Sequence, residues 1–133
     1  MSNNVIIKQI SDKEIWINDG QMLLGDDNII YCISLKEPDE QHAIAVHESL
    51  LKLASMLEGK VNVFLDISDT KRPSVKAKRV FSQLIQHEKI GKFAFFGAHP
   101  VARVLASFMM GIIGKKDVRF FKEREEAIAW LNL

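Results

Sequence analysis

The sequence predicts an α/β fold: a mixed, mainly parallel sheet that begins with an antiparallel meander and is flanked by four helices. Two observations support this prediction. Residues 5–35 alternate apolar and polar side chains in four short runs separated by turn-forming residues, which is the pattern of half-buried strands joined by hairpins. From residue 39 onward, helical and strand patterns alternate four times, and such alternation favours parallel strands joined by helical crossovers.

The four N-terminal runs read "VIIKQI", "EIWIND", "QMLLG" and "NIIYCISL", with "SDK", "DG" and "GDDN" near the turns. The pair Asp19-Gly20 is a strong hairpin signal, because glycine accepts the positive φ that a tight turn between antiparallel strands requires. We therefore expect these runs to form a meander.

The spacing between apolar residues then changes to three and four residues. Apolar positions from Ala43 to Leu57 predict an amphipathic helix that ends at a Gly59 cap. A strand, "KVNVFLDI", follows, and then a helix over 73–88. The inward stripe predicted for that helix is Ala77, Val80, Phe81, Leu84 and Ile85. The remaining segments are "KFAFFG", a strand; "HPVARVLASFMMGIIG", a helix; "DVRFF", a strand; and "EREEAIAWLNL", a helix.

Size and composition predict a single domain over residues 1–133. The chain is 47% hydrophobic and 26% charged, so it can bury a continuous core without crosslinks. Its one cysteine, Cys32, lies in an apolar run and is expected to behave as a small buried hydrophobe. The first 14 residues lack the pattern of a signal peptide. We expect a reducing, cytoplasmic setting.

The net charge of +1 is unevenly distributed. Residues 1–70 hold 5 Lys and 12 Asp/Glu, a net charge of −7, whereas residues 71–133 hold 13 Lys/Arg and 5 Asp/Glu, a net charge of +8. This polarity indicates either an acidic partner, a head-to-tail contact, a membrane surface for the basic part, or two halves that neutralise each other within one fold.

The sequence carries no signature of catalysis or metal binding. His42, His47, His87 and His99 are isolated, and neither a nucleophile elbow nor a glycine-rich phosphate loop is present. Asp66 and Asp69 follow a strand and could act as paired carboxylates with His99, although such residues more often cap a helix or close a turn. We predict no catalytic residue, no cofactor and no metal.

The start of the helix over 73–88 is a candidate functional site. Ser74 follows a proline at the helix start, so its hydroxyl can cap the helix or carry a phosphate. The basic residues around it form a candidate contact face, made of Lys71, Arg72, Lys76, Lys78 and Arg79. Nucleic acid is not the expected partner, because no aromatic residue is interleaved with these cations to stack on a base.

The helix over 99–114 is unusually apolar, with only Arg103 and Ser107 as polar side chains between its second residue and Lys115. It is too short to span a bilayer. Core packing can cover its apolar strip, but a second copy of the chain, a protein partner, a lipid surface or an apolar ligand also can. The residues predicted to form this partner or ligand surface are Val101, Val104, Leu105, Phe108, Met109 and Ile112.

Three segments in this order, "VFLDISD", "EKIGKFAFFGAHPVARVLASF" and "DVRFFKEREEAIAWL", resemble the SpoIIAA-like proteins. These are relatives of the STAS domain of anti-sigma-factor antagonists and are also grouped with the lipid-binding SEC14 (CRAL-TRIO) fold. The match covers residues 28–131. It implies a mixed sheet of about five strands flanked by helices, and an activity of binding and regulation without catalysis.

The resemblance also implies a site. In anti-sigma antagonists, a serine at the start of the helix after a "D-[LIF]-S" strand end is phosphorylated; here Asp66-Ile67-Ser68 matches that strand end and Ser74 lies near the switch position. The usual Asp-Ser-Ser-Gly turn is replaced by "RPSVKA". The resulting hypothesis is a regulatory module that binds a protein partner or itself as a homodimer; the alternative is a carrier of an apolar ligand or a peripheral membrane binder.

Overall fold

The computed structural model describes residues 5–33, 39–71, 73–97, 103, 107 and 117–133. These residues form seven strands and three helices. The strands are β1 (Ile7–Ser11), β2 (Glu14–Ile17), β3 (Gly20–Leu24), β4 (Ile29–Ile33), β5 (Val61–Asp66), β6 (Ile90–Phe96) and β7 (Val118–Phe121). The helices are α1 (Glu40–Ala54), α2 (Val75–Ile85) and α3 (Arg124–Leu131).

All seven strands form one mixed sheet in chain order, from β1 at one edge to β7 at the other. Strands β1 to β4 pair antiparallel, and β4 to β7 pair parallel. The predicted meander is confirmed. The predicted mixed sheet is also confirmed, with its parallel strands in the C-terminal half; antiparallel and parallel pairings are equal in number among the described residues, so parallel pairing does not predominate over the sheet as a whole. The sheet has seven described strands where the resemblance implied about five.

The β2–β3 hairpin is present, but its turn lies one residue earlier than the sequence indicated. Ile17 pairs with Gly20, so the two turn residues are Asn18 and Asp19. Asn18 takes the positive φ of 52°, a conformation that asparagine tolerates better than most residues. Gly20 instead begins β3.

The sheet is covered on both faces. Helices α1 and α2 pack together on one face, where the larger core contains Val63, Leu65 and Phe95. Helix α3 packs on the other face over β5 to β7, where Phe64 and Ala94 are buried. Because β5 is buried on both faces, its sequence is a nearly continuous apolar run, as is typical of central parallel strands.

Helix α1 ends earlier than predicted. Its C-cap is Ser55, and the N–H groups of Met56 and Leu57 bond to Leu53 and Ala54 carbonyls at 3.2 and 3.1 Å. These bonds span three residues and turn the chain out of the helix. Gly59 does adopt a positive φ of 74°, but in the connection that leads to β5.

Three of the four predicted helices lie in the described part of the chain. The fourth, predicted over 99–114, falls almost entirely outside the described residues. Of that segment the structure describes Arg103 and Ser107, which are helical and exposed.

Helix α3 is fastened to the sheet at its C-terminal end. The Lys92 ammonium donates to the carbonyl oxygens of Trp130 and Leu133, at 3.0 and 3.2 Å. The Asn62 amide nitrogen donates to the carbonyl oxygen of Leu131, at 2.8 Å. These bonds reach carbonyls at and just beyond the last turn of α3, where the regular hydrogen bonds of the helix end.

Candidate functional site

The loop after β5 has a shape that its own backbone and Asp66 determine. The Ile67 N–H donates to the Phe96 carbonyl at 2.8 Å, which extends the pairing of β5 with β6 by one residue. One carboxylate oxygen of Asp66 accepts the Ser68 N–H at 2.9 Å, and the Thr70 N–H bonds to the Ile67 carbonyl at 3.2 Å. Asp66 therefore closes a turn, in agreement with the structural alternative weighed from the sequence.

Ser74 is the N-cap of α2. Its hydroxyl oxygen accepts the Ala77 N–H at 3.1 Å, and its carbonyl accepts the Lys78 N–H at 2.9 Å. The preceding Pro73 is buried, while Ser74 itself is exposed. The capping role read from the sequence is confirmed, and the phosphorylation of this serine stays a prediction.

The basic face is only partly assembled around Ser74. Lys71, Lys76 and Arg79 are exposed, whereas Lys78 is half-buried and Arg72 lies outside the described residues. Val75, the first residue of α2, is 76% exposed. We call the set of Lys71, Ser74, Val75, Lys76 and Arg79 the α2 entry surface.

The electrostatics of the α2 entry surface run against helix stability. The first turn of α2 contains no acidic residue, although the positive end of the helix dipole at that position favours carboxylates and disfavours cations. By contrast, the first turn of α3 contains Glu125 and Glu126. A positively charged helix start with an exposed valine is therefore not explained by the packing of α2.

The residues of the predicted apolar strip lie outside the described residues; they are Val101, Val104, Leu105, Phe108, Met109 and Ile112. The same holds for His99, which the catalytic alternative required. The apolar-ligand and membrane-binding alternatives therefore stay predictions.

A series of hydrogen-bonded polar side chains around the buried His42, which we call the polar chain, lies at the start of α1 and was not predicted from the sequence. The His42 side chain is 7% exposed; its Nδ1 lies 2.9 Å from Asp39 Oδ1 and its Nε2 lies 2.6 Å from Asn18 Nδ2. Asn18 Oδ1 accepts the Ile6 N–H at 2.8 Å. The Asn18 amide nitrogen must therefore donate to Nε2, so that the Nδ1 proton of His42 is donated to Asp39.

Asp39 is also the N-cap of α1, because Oδ1 accepts the His42 N–H at 2.9 Å. Burial acts to raise the pKa of Asp39, but the hydrogen bonds from His42 outweigh it and the pKa is lowered. His42 is buried, Asn18 and Asp39 are half-buried, and both ring nitrogens of His42 have a hydrogen-bond partner. This chain of hydrogen bonds joins the β2–β3 turn to α1.

Two further groups have an altered acidity that burial explains. Burial raises the pKa of Cys32 to about 12, which confirms the interpretation of this cysteine as an unreactive core residue. Burial, and next the positive charge of His87, lower the pKa of His47. In the described ranges, no group of three or more His, Cys, Asp or Glu side chains could hold a metal ion.

A groove of about 720 Å³ lies where β5 and β6 begin, at the opposite end of these strands from the loop that leads to Ser74. Its lining includes Ser55, Lys60 and His87. The Lys89 ammonium donates to the carbonyl oxygen of Leu57 at 2.5 Å and so serves the chain beyond the end of α1. This groove is remote in the fold from Ser74.

Residues 22–133 match the family model of a domain of unknown function, DUF7793. The chain belongs to the DUF7793 family. Comparison with curated proteins gives no match. Among solved structures, this DUF7793 chain is similar to an uncharacterized protein of the DUF3478 family with a SpoIIAA-like fold, from Shewanella loihica PV-4. The two are 14% identical, 98% of each chain is covered, and the TM-score is 0.55.

The predicted SpoIIAA-like fold is thereby confirmed at the level of architecture. The DUF7793 match begins at Met22, within β3, so that β1 and β2 precede it. In the part of the chain that the structure describes, no helix has the length and apolar character needed to cross a membrane.

Proposed function

We propose that this protein is a non-enzymatic regulatory module of the STAS type, which binds an acidic surface of a partner protein through its α2 entry surface. The observation that carries the proposal is the exposure of Val75 among three cationic side chains at a helix start. Such a combination has an apolar centre and a charged rim, which is the composition of a protein-binding surface more than of a solvated one.

The SpoIIAA-like fold supports the same surface. In anti-sigma-factor antagonists, which the sequence resembles, the start of the helix after the "D-[LIF]-S" strand holds the regulatory serine. Here Ser74 lies near that position; this serine is exposed, and its hydroxyl oxygen accepts a backbone N–H of the first turn. Fold alone does not specify function, so the proposal rests on the composition of the surface.

Phosphorylation of Ser74 would give the surface a second state. A phosphate at a helix start is stabilised by free N–H groups and by the dipole. It would also offset about two of the positive charges contributed by Lys71, Lys76 and Arg79. We infer that the unmodified protein binds its acidic partner and that the phosphorylated protein binds it more weakly.

The test is affinity capture from a lysate of the source organism, quantified by mass spectrometry. Wild-type protein is compared with the double variant Lys76→Glu/Arg79→Glu and with Ser74→Asp. The matched control is Lys60→Glu/Lys122→Glu, which makes the same charge change at two exposed lysines away from α2.

The expected result is an acidic protein recovered with wild type and control and reduced at least about tenfold with the double variant, an effect of the size that hot-spot residues produce. Equal recovery with the double variant and the control would contradict the proposal. So would turnover in a broad hydrolase screen that is lost in Asp66→Asn, because that result requires a catalytic carboxylate.

A further inference from the structure

Strand β1 is exposed in a way that no other described strand is. It is hydrogen-bonded on one side only, to β2, and all five of its residues are exposed. Ile6, Ile7 and Ile10 have exposed fractions of 58%, 50% and 58%. An apolar edge strand with a free row of backbone groups is a template for pairing with another strand.

The register identifies which backbone groups are available. The Asn18 N–H donates to the Ile6 carbonyl at 2.8 Å, and the next pairs are Ile7 with Ile17 and Lys8 with Trp16. Because hydrogen-bonded and non-bonded pairs alternate in an antiparallel ladder, Lys8 bonds towards β2, as Ile6 does. The N–H and C=O groups of Ile7 and Gln9 therefore face away from β2.

We propose that β1 pairs antiparallel with β1 of a second copy of this chain, so that the two sheets join across a two-fold axis. A two-fold interface requires one strand to complement itself. The two-fold axis passes through one residue of β1, which then pairs with itself in the second copy; we call this residue the centre. A centre at Ile7, Lys8 or Gln9 keeps the free backbone groups of both Ile7 and Gln9 within the new ladder.

Charge and backbone geometry select one of these registers. A centre at Lys8 sets two ammonium groups directly opposite each other, which is destabilising. A centre at Gln9 draws in the irregularity between Gln9 and Ser11, where a bulge disrupts regular pairing. The centre at Ile7 remains: Ile7 meets Ile7 of the second copy, and Ile6 lies against the aliphatic part of Lys8.

The interface is small. Pairing from Val5 to Gln9 engages five residues of each copy, against about 20–30 a side for an interface of standard size. The dimer is therefore weak, with association that develops between about 10 µM and 1 mM. The pairing does not use the α2 entry surface, so it is independent of the proposed function.

Sedimentation velocity from about 5 µM to about 1 mM tests the pairing. Wild-type protein is expected to shift from monomer to dimer, and Ile7→Lys is expected to stay monomeric because it opposes two cations at the axis. The matched control is Leu133→Lys, which makes the same kind of change at a more exposed apolar residue outside both the new ladder and the α2 entry surface, and is expected to dimerise as wild type does. Circular dichroism verifies that each variant is folded.

A mixing experiment tests the register itself. Ile7→Glu alone is expected to be monomeric, whereas an equimolar mixture of Ile7→Glu and Ile7→Lys is expected to associate, because opposite charges then meet at the axis. A wild type that is monomeric up to 1 mM would overturn the proposal. The same holds for an Ile7→Lys variant that dimerises normally, a Leu133→Lys variant that does not dimerise, or a mixture that stays monomeric.

Discussion

Helices α1 and α2 lie on the same face of the sheet and begin with the same capping chemistry in opposite surroundings. Asp39 caps α1 and lies 2.9 Å from the buried His42, which in turn contacts Asn18 of the β2–β3 turn. Ser74 caps α2 through a 3.1 Å bond and stays exposed among cationic side chains. The start of α1 therefore contains a buried polar side chain, His42, whereas the polar side chain at the start of α2, Ser74, is exposed.

This difference shows how one local motif serves two purposes. A cap whose side chain is hydrogen-bonded both to the helix backbone and to a buried neighbour contributes to stability. A cap with one bond and a free surface contributes less to stability but leaves a hydroxyl that another molecule can reach. Substitutions at the two helix starts should therefore separate stability from binding.

The largest effect is expected for His42→Ala. This change lowers the free energy of unfolding by about 2–3 kcal/mol, because it opens a cavity and leaves Asn18 and Asp39 without their common partner. Urea denaturation provides the measurement. The control is His47→Ala, a half-buried histidine of the same helix, which should cost less than about 1 kcal/mol. Equal losses would mean that the polar chain contributes nothing beyond packing.

Replacing each of the two N-cap residues by alanine should destabilise the protein by different amounts. Asp39→Ala is expected to lower the free energy of unfolding by about 1.5–2 kcal/mol and Ser74→Ala by about 0.5–1 kcal/mol, which are the upper and lower parts of the range for N-caps. Asp39 has the larger value because its loss also leaves the Nδ1 proton of His42 without an acceptor. Urea denaturation of both variants gives the comparison, and a reversed order would show that α2 is the better fastened helix.

The smallest change in the free energy of unfolding is expected for Lys76→Glu, and this variant should be more stable than wild type rather than less. Replacing a cation by a carboxylate in the first turn of α2 should raise the free energy of unfolding by about 0.3–1 kcal/mol, although under the proposed function the same change is expected to weaken partner capture. The mirror control is Lys52→Glu in the last turn of α1, which should be destabilising. A destabilised Lys76→Glu variant would instead assign Lys76 a structural role.

Much of this architecture is local and could be predicted from the sequence. The alternation in the N-terminal runs corresponds to β1 to β4, and the apolar runs correspond to β5 and β6, because strand burial repeats every two residues or covers both faces. The cap at Ser74 was predictable for the same reason: a proline and a serine immediately before a helical pattern are a local signal.

The buried polar chain could not be predicted, because its members meet only in three dimensions. Asn18 and His42 are 24 residues apart and look like isolated polar residues in the sequence. The spacing of three between Asp39 and His42 at a helix start was the available signal, since a residue at that position can return a bond to the cap. Which turn would approach that histidine is decided by sheet packing.

The errors in element boundaries have a similar origin. The apolar spacing continues to Leu57, but Ser55 ends α1 because the following N–H groups bond three residues back. The hairpin turn falls on Asn18, whose amide is held by Ile6 and His42. In both places a contact beyond the local pattern fixes the backbone.

The strand order has a consequence for how this chain assembles. Among the described residues, every strand pairs only with strands that neighbour it in sequence, so these ladders can form outward one at a time, without a later strand inserting between two that are already paired. The hairpins close short loops, whereas each parallel ladder waits for a helix-length connection to return, which is entropically slower. We expect the amide protons of β2 and β3 to gain protection before those of β6 in a pulse-labelling experiment on the refolding protein.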